Sequence, residues 1–129
     1  MSKYNLGEFR GYKIREYIGR DNLTINTLTL KIRRCYSEEG LNALTPDDYL
    51  AMFYYVHMCA RIVETPKNGF RFSNSGDDDK TVYDTYLSIL EEPKHARLWT
   101  GLVGVLESMG KFQGDDELEP PNEENEKKD

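Results

Sequence analysis

Residues 44–66, LTPDDYLAMFYYVHMCARIVETP, constrain the fold of this chain more than any other stretch. Thr45 suits a helix N-cap, and Pro46 suits the first helical position, where a missing N–H costs nothing. Asp47 and Asp48 fall in the first turn, where the helix dipole favours negative charge. Leu44 and Tyr49 occupy the two positions of a hydrophobic staple. Beyond the cap, Tyr49, Met52, Phe53, Val56, Ala60 and Val63 recur at helical spacing, and Tyr54, Tyr55, Met58, Cys59 and Ile62 extend the stripe almost around the cylinder. A helix apolar on nearly all sides is a central, buried one. It is expected to stop before Pro66, which cannot continue it.

The rest of the chain supplies partners for that helix. Residues 12–18, YKIREYI, alternate apolar and charged and predict a short strand with Tyr12, Ile14 and Ile18 on one face, bounded by Gly11 and a turn-like GRDN at 19–22. LTIN at 23–26 reads either as a second strand closing a hairpin or as the approach to a helix. Ile25, Leu28, Ile32, Cys35 and Tyr36 recur at helical spacing, which favours a helix over about 27–38 ended by Gly40. A long connection at 66–80 follows, then a helix over about 80–91 carrying Val82, Tyr83, Tyr86, Leu87 and Leu90. Pro93 stands at or near the start of a fourth helix with Trp99, Leu102, Val103, Leu106 and Met109 as its apolar stripe and Gly110 as its stop. The expected fold is mainly α, about four helices with a short N-terminal strand or hairpin. It forms a single domain over 1–112, followed by a disordered acidic tail over 113–129.

Charge placement narrows the function. The net charge of -6 resides in the tail, whose eight acids and two bases leave fifteen residues of each sign in 1–112. A neutral body offers no basic surplus for phosphate neutralisation, so no nucleic-acid partner is expected. The basic run Lys31, Arg33, Arg34 reads as a solvated helix face. No apolar run approaches the roughly 20 residues of a membrane span. The N-terminal MSKYNLGEFRG has no secretory h-region, so a cytoplasmic location is expected.

Candidate chemistry is sparse. Cys35 and Cys59 form no CxxC pair and read as small buried hydrophobes. His57 and Cys59, two residues apart, project about 200° apart on a helix and cannot act together. His57 reads as a core or boundary residue and His95 as a surface one. The acids of SGDDDK, at 75–80, lack the alternation, glycine and glutamate of a calcium loop and read as a helix N-terminal cluster. The sequence contains no GxGxxG, GxxxxGK[ST], GxSxG or HExxH. No catalytic residue, metal ligand or cofactor is therefore assigned, and no enzyme is expected. Fifteen aromatic residues, nine of them tyrosine, suit half-buried interface positions instead. Phe9, Phe70 and Phe72 in non-helical segments, with Trp99, are the candidate partner-binding residues.

The order of elements carries a resemblance. KIREYIGRDNLTI, the capped helix, the loop ETPKNGF and the run EEPKHARLWTGLVGVL together resemble the tail assembly chaperones of tailed bacteriophages over roughly residues 12–110. The resemblance implies a helical protein without catalysis that acts in the host cytoplasm. It also implies homo-oligomerisation and transient binding to a long apolar helical partner, the tape measure protein, for delivery to tail-tube subunits. Two other classes compete: an inhibitor of a host defence complex, and a structural head–tail connector subunit.

Overall fold

The computed structural model describes residues 4–40 and 44–109. The elements are β1 (Leu6–Phe9), β2 (Tyr12–Arg15), α1 (Asp21–Glu38), α2 (Pro46–Arg61), β3 (Ile62–Glu64), α3 (Asp79–Glu91), a 3-10 turn (Pro93–His95) and α4 (Ala96–Met109). The fold is thus mainly α, with four helices and a small N-terminal β region. The tail at 113–129 and the expected stop at Gly110 lie outside the described residues.

α2 starts as its sequence requires. Thr45 accepts the Asp48 N–H at 3.1 Å, and the Asp48 carboxylate accepts the Thr45 N–H at 2.9 Å, a reciprocal capping box with aspartate in the usual glutamate position. The helix ends at Arg61, earlier than expected, because Ile62–Glu64 turn extended and pair antiparallel with β2 as the third strand of a β1-β2-β3 sheet. β-Branched Ile62 and Val63 fit that pleat better than a helical turn.

The N-terminal segment departs from its reading in three places. The hairpin partner of β2 lies upstream at β1, not at LTIN. Arg10 and Gly11 both take positive φ, 51° and 89°, which matches the twist of a two-residue hairpin turn. β2 itself stops at Arg15, short of the expected strand to Ile18. The supposed turn GRDN is instead the start of α1, so residues 23–30 are helical throughout. Asp21 opens the helix because its carboxylate is engaged on two sides. It accepts the Ile18 N–H at 2.9 Å and both terminal nitrogens of Arg15 at 2.8 and 3.1 Å. At the other end, Gly40 takes φ +80° and stops the helix as expected.

Two apolar clusters meet on α2. Met52, Tyr55 and Val56 face Leu28 and Ile32 of α1 and Val82, Tyr86 and Ile89 of α3. Met58 joins Tyr12, Ile14, Leu102 and Leu106. α2 therefore sits centrally, yet of its expected stripe only Met52 and Val56 are buried, and Ala60 is half-buried. Phe53 is half-buried, Tyr49 is 46% exposed and Val63 is 54% exposed. The basic run is also not simply solvated. Lys31 donates to the Ser75 and Asp77 carbonyls, and Arg34 makes a bidentate pair with Asp79 at 2.8 and 3.0 Å. These contacts tie α1 to the cap of α3, where Asp78 accepts the Thr81 N–H at 2.8 Å.

The β1–β2 hairpin docks on α4 by close approach. The Phe9 ring lies against Gly101, where a Cβ would overlap it, whereas nothing lies within 4 Å of a Cβ at Gly104. Both glycines are in the same helix and share the same gain in helix propensity on substitution. Gly104→Ala should stabilise the protein by about 0.5–1 kcal/mol. Gly101→Ala should instead destabilise it by about 1–3 kcal/mol through overpacking, measured by urea denaturation. Equal effects at the two sites would show that the hairpin is not seated on α4.

Candidate functional site

α1 and α2 form a helical hairpin whose contact seam opens to solvent along one side. Ile25, Asn26, Thr29, Tyr49, Met52, Phe53 and Val56 line a groove of about 330 Å³ there. Sequence spacing places the groove. With 100° per residue, Asn26, Thr29 and Arg33 lie on the flank of α1 adjoining its buried face, and Leu23 and Leu30 continue outward from them. Tyr49 and Phe53 occupy the matching flank of α2. Outside the groove lining, Leu23, Leu30 and Leu50 are exposed on the same two helices, at 74%, 56% and 52%. The Thr29 hydroxyl donates to the Ile25 carbonyl at 2.7 Å, so it is already satisfied within the helix. At one end the Arg33 guanidinium stands 5.9 Å over the Tyr49 ring.

Beneath the other end lies a buried polar cluster. His57 and Arg61 are fully buried, and the Phe53 ring packs tilted against the His57 ring at 4.4 Å between centroids, with Tyr17 at 5.9 Å. Arg61 Nε donates to the Arg15 carbonyl at 2.9 Å, while Arg15 donates to the Ala60 carbonyl at 3.2 Å and pairs with Asp21. Burial, and secondarily the Arg61 charge, lower the His57 pKa to about 4. The imidazole is thus neutral at physiological pH, a packing group in the wall behind the groove.

The other chemically suggestive residues are separated. Cys35 and Cys59 are free thiols, and burial pushes Cys59 up to about 12 and raises Cys35, so neither ionises near neutral pH. Among the described residues no group of three His, Cys, Asp or Glu side chains is placed to hold a metal ion. Nor is any helix among them long and apolar enough to cross a membrane. His95, expected on the surface, is largely covered by the Phe70 ring at 4.8 Å and lies 3.4 Å from Glu92. A second cavity, of about 370 Å³, is lined by Tyr36, Tyr83, Leu87 and three carboxylates, Glu39, Asp48 and Glu91.

The four aromatic residues singled out from sequence are half-buried, pack against the core clusters and do not line the groove. Phe72 bridges Tyr12 at 6.2 Å and Tyr55 at 5.6 Å, and Phe70, 5.0 Å away, is held by a hydrogen bond from the Tyr12 hydroxyl to its carbonyl. Phe9 covers Gly101. Trp99 lines a separate shallow depression on α4 with Val103, Gly104 and Glu107. The groove residues were missed, although Leu23 and Leu30, seven apart and off the buried stripe of α1, are a signal of a second apolar face. No protein-family model, curated protein or solved structure matches this chain.

The His57 environment carries a signed pH dependence. Its folded pKa of about 4 lies below the usual 6.5, so between these values the unfolded chain binds a proton that the folded chain refuses. Stability should be full above pH 6.5 and fall by a total of about 3 kcal/mol as pH drops to 4. His57→Gln should remove most of that slope in urea titrations at pH 7, 5.5 and 4.5. An unchanged slope in the variant would place the responsible group elsewhere.

Proposed function

We propose that this chain is a non-enzymatic protein-binding module that holds an apolar helix of its partner in the α1–α2 groove. This is the activity expected of a phage tail assembly chaperone acting on its tape measure protein in the host cytoplasm. The observation that carries the reading is the groove itself. It is an open seam between two antiparallel helices, walled by Ile25, Tyr49, Met52, Phe53 and Val56. A third helix can lay an i, i+3, i+4, i+7 ridge into such a seam, as helix-in-groove recognition requires. The groove is shallow and one-sided, which suits reversible holding of many equivalent turns of a long helix rather than a permanent interface. The net negative charge in the C-terminal residues would keep a complex with an apolar partner dispersed.

Co-expression with a long apolar helical partner from the same genome, followed by size-exclusion chromatography with light scattering, tests this reading. Several copies of the chain should co-elute with one partner. Tyr49→Ser combined with Phe53→Ser should lower the affinity by about tenfold or more, as loss of central interface anchors does. Phe53 is half-buried against His57, so the double variant should melt several degrees lower, and affinities are compared at a temperature where both proteins are fully folded. Retention of full affinity would refute the assignment of the groove.

A further inference from the structure

We infer that the helix received by the groove carries a carboxylate beside its apolar ridge, placed to meet Arg33; this rests on the groove reading above. The basic run of α1 is divided by the fold into two committed cations and one uncommitted one. Lys31 is spent on the Ser75 and Asp77 carbonyls, and Arg34 on the Asp79 carboxylate. Arg33 instead projects over the open edge of the groove, exposed, with its guanidinium over the Tyr49 ring. Among the described residues no carboxylate pairs with it. The nearest acids along α2 are otherwise engaged or directed away. Asp48 closes the capping box with Thr45 and lines the cavity beside Tyr36, about 100° around the helix from Tyr49.

The groove therefore has an apolar floor and one cation at the end formed by the C-terminal half of α1 and the start of α2. The Tyr49 ring face attracts the guanidinium to this edge and leaves its N–H groups available to an acceptor. An amphipathic helix seated with Asp or Glu on its flank satisfies both features at once. An apolar helix flanked by Lys is disfavoured by like-charge contact, so Arg33 selects among apolar helices and fixes which way round they lie. The same acid in the first turn of the incoming helix is also favoured by that helix's own dipole.

The test uses the full chain and three fluorescein-labelled helical peptides about 18 residues long, or five turns. Each has leucine at helical spacing and lysine on the far face, and they differ only at one flank position: Glu, Gln or Lys. Anisotropy titrations should rank them Glu, Gln, Lys, with about two- to fivefold between the first two, the scale of an exposed ion pair. The ranking should compress in high salt and vanish in Arg33→Gln, while the Gln peptide binds both proteins alike. A ranking unchanged by Arg33→Gln, or equal binding of all three peptides that is still lost in Phe53→Ser, would overturn this inference and leave the groove reading standing. If none of the peptides binds, the groove reading falls and this one with it. If removal of residues 113–129 raises affinity for the Glu peptide tenfold or more, the acidic segment of the chain itself is the occupant, and the assignment to a partner is wrong.

Discussion

Asp21 is the pivot on which the arrangement of the helices depends. Its carboxylate accepts two hydrogen bonds from Arg15 and one from the Ile18 N–H, and it is almost fully buried. Arg15 reaches onward to the Ala60 carbonyl, and Arg61 returns a hydrogen bond to the carbonyl of Arg15. Strand β2, the first turn of α1 and the last turn of α2 are thus interlocked within one polar cluster. Burial of the charges is costly: desolvation lowers the Arg61 pKa, and the Asp21 charge offsets only part of that. A cluster of this kind contributes more to geometry than to net stability, because any other packing of these three segments would strand a charge in the interior.

The groove is a consequence of that geometry. With α1 and α2 pinned where α1 begins and α2 ends, Ile25 lies near Val56 and Arg33 near Tyr49, and the seam between them runs open along one flank. Phe53 links the two levels, lining the groove while packing against His57. A neutral, buried imidazole backs that ring and separates it from the charged Arg61–Asp21–Arg15 cluster. Pinning at Asp21, a stiff wall and an apolar seam together make the surface on which the proposed helical partner would lie, with Arg33 at its rim as the feature proposed to discriminate among apolar helices.

How much of this could be read from residues alone followed the range of each interaction. The cap of α2 was legible because Thr45–Asp48 acts over three residues, whereas at α3 only an acidic cluster was read and Asp78 was not singled out as its cap. The buried face of α1 was legible from period. Its start was not, since Asp21 resembles a turn residue until Arg15 is brought to it. β1 was hidden because an arginine at φ 51° carries no turn signature of its own. β3 was hidden because a helix apolar all round gives no hint of where its last turn lies. For the same reason Tyr49 and Phe53 passed as core: periodicity identifies apolar faces but not which of them the neighbouring helices leave uncovered. The aromatics singled out as contacts, Phe9, Phe70, Phe72 and Trp99, lean instead on the interior of the fold.

The claim that one buried junction sets the α1–α2 geometry is tested most directly by backbone hydrogen exchange of Asp21→Asn against the parent protein. The account predicts a loss of about 3–5 kcal/mol in stability, as for breaking one partner of a buried ion pair. It also predicts that protection falls together in β2, the first two turns of α1 and the last two turns of α2. A loss of protection confined to the amides next to residue 21, with α2 unchanged, would contradict it and make the junction a local cap with no part in shaping the groove.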